Sequence, residues 1–234
     1  METTLDDSTR ATLATDTDGD APKRPRRAGR LASGGAIREA AATLFLEKGY
    51  QATSMDDIAA AAQVSKQTIY THFANKDELF ADLVLGNAER VEEFVGAIAR
   101  TVGDAGDLEI GMRQLARVYI RLVMRPEVLR LRRLVLGEVG RFPDLARTYY
   151  ERVPGRVIDA LAALFADLAH EGRLRLQDPS LAAQHFASLT LGIPLDRGMF
   201  YPIDETVRDV DLDGMADAAA TVFLAAYGPR TRRG

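Results

Sequence analysis

From Gly34 onward the apolar residues of this chain return every three or four positions almost without a break, and no stretch alternates at period two long enough to need a sheet. A chain patterned in this way buries its apolar stripes by packing helix on helix, so the fold class is all-α. Ile37, Ala40, Ala41, Leu44 and Phe45 form the first stripe, and Gly49 stands just past Lys48, where a left-handed residue ends a helix. "TSMDDIAAAAQ" opens a short second helix, with Ser54 as its cap, Asp57 three residues on, and Met55, Ile58, Ala59 and Ala62 facing inward. Its alanines allow a neighbouring helix to come close. After a tight "QV" joint Ser65 caps a third helix, and "ANKDELF" opens a fourth, with Asn75 as cap and Glu78 at the third position.

Beyond Leu85 the helices lengthen. Leu115, Val118, Tyr119, Leu122 and Val123 make one stripe, and Val128, Leu131, Leu134, Val135 and Val139 a second. Leu145, Tyr149, Val153, Val157, Leu161, Leu164 and Leu168 run at near-helical steps, with a kink or restart expected at Pro154-Gly155. Two last helices are predicted, from Ser180 to about Gly192 and from about Asp213 to Tyr227. With 234 residues, 47% of them hydrophobic, the chain can supply a small core and a larger one. The expected division is a disordered acidic tail and basic arm over 1–30, a helix-turn-helix DNA-binding unit over 31–80, a larger helical unit over 81–228 and a flexible tail over 229–234.

The composition closes off several chemistries. No Cys is present, which removes disulfides, zinc-thiolate sites and thiol nucleophiles, and suits a reducing cytoplasm. No segment approaches the roughly 20 apolar residues of a membrane span, and the polar start has no signal-peptide core. The expected location is therefore cytoplasmic, with no membrane partner. His72, His170 and His185 fall on separate helices, and no metalloprotease, nucleophile-elbow, P-loop or dinucleotide motif occurs. Asp167 and His170 lie one turn apart, but such a lone pair is more often a surface contact than a metal site. No enzyme activity, cofactor or metal is expected. The net charge of -4 argues against a protein that coats nucleic acid indiscriminately, although it leaves room for a local basic face.

Such a face is offered by residues 53–76. A short helix, a tight turn and a second short helix make the helix-turn-helix arrangement, whose second helix enters the major groove. In "VSKQTIYTHF" Val64, Ile69 and Phe73 point inward, leaving Lys66, Gln67, Thr68, Tyr70 and His72 largely outward. Gln pairs with adenine, Lys donates to guanine, and Thr serves either role or touches a thymine methyl. Tyr70 and His72 suit phosphate oxygens. Thr53 and Ser54 begin the second helix and Lys76 the fourth, where free N–H groups favour an anion. On spacing alone two readings stay open: this groove-reading surface, or the wet face of a helical bundle. The run "PKRPRRAGR" likewise reads as a solvated tail or as a nucleic-acid arm.

The stretch "AATLFLEKGYQATSMDDIAAAAQVSKQTIYTHFANKDELFADLV" resembles the N-terminal domain of TetR-type transcriptional regulators, matching the family's LF-x-x-KGY, T-x-x-x-IA, VS-x-x-T-x-Y-x-HF and NK-x-x-L elements over about residues 33–85. The resemblance implies a homodimeric regulator, most often a repressor, that binds an inverted-repeat double-stranded DNA operator and is released by a small-molecule effector. Carried over residue by residue, phosphate contacts fall on Thr53, Tyr70, His72 and Lys76 and base-edge contacts on Lys66, Gln67 and Thr68. Ser54 and Ser65 lie near the backbone, and Thr71 touches a phosphate or a base. Arg26, Arg27 and Arg30 become candidates for phosphate or minor-groove contact, so that removing 1–30 is expected to weaken operator binding and flatten its salt slope. "GEVGRFPDLARTYYE" is similar to the AefR-like subgroup of C-terminal domains. On the family plan the last two helices of each subunit form the dimer interface, and a pocket lies among the middle helices. Met112, Tyr119, Met124, Phe165, Phe186 and Met199 are either its lining or plain core. Arg121, Arg132, Glu138 and His185 are either ligand anchors or solvent-facing.

Overall fold

A computed structural model describes residues 26–229 except 87, 104–105, 204 and 206–209. Among the described residues there are helices and no strands. The small unit contains α1 (Arg26–Lys48), α2 (Met55–Ala61), α3 (Lys66–His72) and α4 (Lys76–Leu85). The caps expected from the sequence form as local hydrogen bonds. Asp57 N–H donates to Ser54 Oγ at 3.1 Å while Ser54 N–H donates to the Asp57 carboxylate at 3.1 Å, closing a capping box. Ser65 and Asn75 receive the N–H groups of Thr68 and Glu78 at 3.0 and 2.8 Å.

The larger unit is built from α5 (Ala88–Gly103), α6 (Leu108–Val123), α7 (Pro126–Gly137), α8 (Pro143–Tyr150), α9 (Arg156–His170), α10 (Pro179–Phe200) and α11 (Leu212–Tyr227). Its core holds Met112, Tyr119, Met124, Phe165, Phe186 and Phe223, all buried, with Met199 partly buried against them. These middle-helix residues are thus part of the larger unit's buried core. A ring cluster knots α9, α10 and α11 together: the Phe165, Phe186 and Phe223 centroids lie 4.9–5.5 Å apart.

Three elements depart from the sequence reading. α1 starts at Arg26, so the backbone of Arg26, Arg27 and Arg30 is helical, whereas the expectation for residues 1–25 lies outside the described residues. At Pro154-Gly155 the chain does not restart: a π turn over Glu151–Gly155 joins α8 to α9, a wider turn that accommodates the proline's missing N–H. α10 runs past Gly192 to Phe200, with Pro194 buried inside it, because packing on α9 and α11 outweighs the local penalty. The division expected at residue 80 falls within α4, and of the flexible tail expected over 229–234, residues 230–234 lie outside the described residues.

The two cores meet. Leu131 and Val135 of α7 and Tyr149 of α8 complete the small core of Ile37, Phe45, Tyr50, Ile58, Ile69 and Phe80. The small unit therefore does not close its apolar surface alone.

Candidate nucleic-acid interface

Ile69 is fully buried and Phe73 nearly so, which fixes the roll of α3 against α1 and α2. With that side anchored, Lys66, Gln67, Tyr70 and Thr71 are exposed, and Thr68 and His72 are half-exposed. Tyr70 keeps 44% of its surface open, although it is a large ring in a chain that buries most of its aromatics. Thr71 Oγ1 donates back to the Gln67 carbonyl at 2.8 Å, and Ser65 Oγ lies 2.8 Å from Thr68 Oγ1. Ser54 and Ser65 are both exposed beside their helix starts.

A shallow groove of about 430 Å³ runs between the starts of α2, α3 and α4, lined by Thr53, Ser54, Asp56, Lys66, Tyr70 and Lys76. Of the expected phosphate contacts, Thr53, Tyr70 and Lys76 are brought together there while His72 is not among the lining residues, and two of the three are occupied differently. The resemblance makes Thr53 a phosphate contact, but its side chain does not face the groove. It is buried, with 2% exposed, and its hydroxyl donates to the Gly49 carbonyl at 2.8 Å and reaches the Leu44 carbonyl at 3.3 Å. That hydroxyl is spent on closing the α1–α2 turn, so Thr53 supports the groove from behind. Lys76 turns its ammonium onto the Tyr50 and Thr53 carbonyls at 2.9 and 2.8 Å and over the Tyr50 ring at 4.1 Å. Two of its three donors are used, and one remains beside the groove.

Tyr50 links this groove to the larger unit. It is 1% exposed, its hydroxyl donates to Asp77, and its ring packs edge-on against Phe80 and Phe142 at 5.0 and 5.1 Å. The Arg141 guanidinium lies 4.9 Å from the same ring. Burial, and after it the Asp77 carboxylate, pushes the Tyr50 hydroxyl up to about 12, so it remains a donor.

Sequence reasoning missed three residues of this neighbourhood. Asp56 on α2 holds the Lys66 ammonium at 2.8 Å across the turn. Gly34 on α1 sits against His72, where a Cβ would meet the imidazole at 3.3 Å. Gln63 takes a left-handed backbone, φ 54°, in the joint between α2 and α3. Only Gln63 had a local signal, as a residue standing where a tight turn favours glycine.

The polar candidates of the larger unit separate as well. Arg121 is exposed and donates to Asp213 at 2.9 Å; His185 Nδ1 lies 2.6 Å from the Tyr227 hydroxyl, with His185 itself exposed. Glu138 lines a groove of about 540 Å³ between α1 and α7. Arg132 has a buried Nε without a hydrogen-bond partner and lies near the buried hydroxyls of Tyr119 and Tyr149. Burial raises both phenols, Tyr119 to about 12, and the Arg132 charge partly offsets the effect. Among the described residues no group of acids and histidines could hold a metal, and no helix is long and apolar enough to cross a membrane.

Comparison with known proteins bears on both halves. Residues 37–83 match the family model for bacterial regulatory proteins of the tetR family, and residues 111–229 match that for the AefR-like transcriptional repressor C-terminal domain. A TetR-family transcriptional regulator structure from Mesorhizobium loti MAFF303099 superposes with a TM-score of 0.75 at 36% identity, covering 85% of this chain and 98% of that one. The flavonoid-responsive regulator FrrA gives a TM-score of 0.64 at 32% identity, over 85% of this chain and 98% of its own. The uncharacterized HTH-type transcriptional regulator YhgD of Bacillus subtilis (strain 168) is 53% identical over 47 residues, 20% of this chain and 25% of YhgD. The chain thus spans about a quarter of that curated relative's length. A capped helix-turn-helix with an outward polar third helix, two family models that together take in both units, and full-length structural relatives lead to one conclusion: the chain belongs to the TetR family of DNA-binding transcriptional regulators.

Proposed function

We propose that the protein is a homodimeric repressor that binds an inverted-repeat operator and leaves it when a small effector binds the larger unit. The observation that carries the DNA-reading part is the outward display of Gln67, Lys66 and Tyr70 on a helix locked from behind by Ile69 and Phe73. Beyond the Thr71 hydroxyl on its backbone carbonyl, Gln67 makes no side-chain hydrogen bond within the described residues, so its side-chain amide is free for a base edge. Lys66 and Thr68 take neighbouring edges. Ser54, Ser65, Tyr70, Thr71, His72 and the remaining donor of Lys76 hold phosphates on either side, with Thr53 as support.

The dimer reading rests on an apolar stripe left open on α10 and α11. Leu181, Leu189 and Ile193 are 45%, 42% and 67% exposed, and Val222 on α11 is 53% exposed. An isologous pairing through this stripe buries it twice over and sets two recognition helices to reach major-groove faces roughly 34–36 Å apart. The effector reading is supported by Arg132, whose orphan Nε between the two cores asks for an acceptor. FrrA is named for its response to flavonoids, so aromatic molecules rich in hydrogen-bonding oxygens are the first class to screen.

Footprinting on the DNA flanking the protein's own gene tests the whole reading. A protected inverted repeat, lost on adding an aromatic effector and accompanied by a dimer in gel filtration, supports it. Protection that ignores sequence refutes it.

A further inference from the structure

The phosphate-facing groove contains a carboxylate. Asp56, on the exposed side of α2, holds the Lys66 ammonium at 2.8 Å from one oxygen and 3.0 Å from the other. Both side chains are open to solvent, 65% for Asp56 and 62% for Lys66, so no buried scaffold requires the pair. An ion pair this exposed holds weakly in water and yields to a competing partner. It also lies where the competing partner is DNA, since Asp56, Lys66, Ser54 and Tyr70 line one groove.

We infer that Asp56 is a specificity-determining residue: by holding Lys66 it penalises contact with DNA phosphates more than contact with a base edge. This inference rests on the DNA-binding reading above. The asymmetry is electrostatic. A phosphate that approaches Lys66 brings a full negative charge next to the Asp56 carboxylate, and Lys66 can accept it only by leaving Asp56. A guanine edge presents neutral acceptors, O6 and N7, so Lys66 can keep two donors on Asp56 and direct the third to the base. Phosphate contacts are the same on every sequence and supply almost all non-specific affinity. A device that taxes them selectively therefore widens the gap between operator and random DNA.

The test uses the full-length protein, its footprinted operator and a scrambled duplex of equal length, titrated by fluorescence anisotropy across a salt series. Asp56→Asn is expected to tighten scrambled-duplex binding about tenfold at low salt and to steepen its log K versus log salt slope by about 0.9, as Lys66 gains one phosphate. Operator affinity is expected to rise less, so the specificity ratio falls several-fold. Asp56→Glu keeps the charge and is expected to retain the wild-type ratio. In a Lys66→Met background the same Asp56→Asn change is expected to lose most of its effect on slope, which separates the pair from a general loss of negative charge. Thermal melts of each variant confirm that α2 stays folded. Equal tightening on both duplexes, or an unchanged slope, overturns the inference while leaving operator recognition intact. A wild-type protein that shifts no duplex overturns the DNA-binding reading and this inference together.

Discussion

Gln63 shows how a single backbone angle is paid for by its surroundings. Its φ of 54° lies in the left-handed region, which costs a residue with a Cβ about 1–2 kcal/mol, and the joint keeps it because α2 and α3 must turn sharply to bury Ile58 and Ile69 together. Glycine relieves that cost and returns part of it as freedom in the unfolded chain. Gln63→Gly is expected to stabilise the protein by about 0.5–1 kcal/mol net, read as a higher urea midpoint with unchanged slope. A lower midpoint would mean that the Gln63 side chain contributes more than its backbone costs. Thr53 carries the opposite lesson at the same scale. The family resemblance makes it a phosphate contact, but its buried hydroxyl is directed at the Gly49 and Leu44 carbonyls behind the surface, in keeping with the rule that a buried polar group finds a partner.

At the scale of elements, α6 and α11 are joined by a ladder that spacing alone could suggest but not pair. Arg113, Arg117 and Arg121 recur every four residues on α6, and Asp213 and Asp217 do so on α11. Arg117 Nε donates to Asp217 at 2.7 Å and Arg121 Nε to Asp213 at 2.9 Å, each with a second guanidinium bond to the same carboxylate. The hydrogen bond from Arg117 holds the Asp217 carboxyl below its ordinary 3.8 and raises Arg117 in turn. A depressed carboxyl stabilises the fold above its unfolded value and loses that contribution as pH falls through the lower folded value. Asp217→Asn is therefore expected to melt at a lower temperature than wild type at pH 7, with the two curves converging as pH drops below 3.8. A difference that persists in acid would assign the effect to packing instead. The caps of α2, α3 and α4 were legible beforehand because each is settled within three residues. The π turn was not, since only the packing of α8 and α9 on their neighbours decides whether a proline breaks a helix or widens it.

For the whole molecule the decisive surfaces are the seam between the two cores and the open stripe on α10 and α11. Ile193 is 67% exposed, and in the isologous interface proposed above both subunits would contribute it, so one substitution counts twice. Ile193→Asp is expected to give a monomer by gel filtration and to weaken operator binding by about 100-fold or more, the contribution of joining two half-site contacts. An intact dimer would remove this stripe from the interface. The seam is expected to respond to alkali. Tyr50 and Tyr119 both ionise near 12 rather than 10 when folded, so between pH 10 and 12 the unfolded chain loses these protons first and stability falls across that window. Tyr50→Phe is expected to flatten that decline, and to lower stability at pH 7 by removing the donor to Asp77. An unaltered alkaline limb would place its origin at other groups.

What the amino-acid order determined by itself is whatever closes within a few residues: helical period, the caps at Ser54, Ser65 and Asn75, and the division of α3 into an apolar side and a polar side. Tertiary structure alone decided that Thr53 faces inward, that Asp56 holds Lys66, and that α7 and α8 complete the core under the recognition helix. The reason is physical. Capping and periodicity are local interactions whose partners the chain supplies at fixed spacing, whereas a side chain's partner across a turn or a seam depends on the path taken by residues far away in sequence.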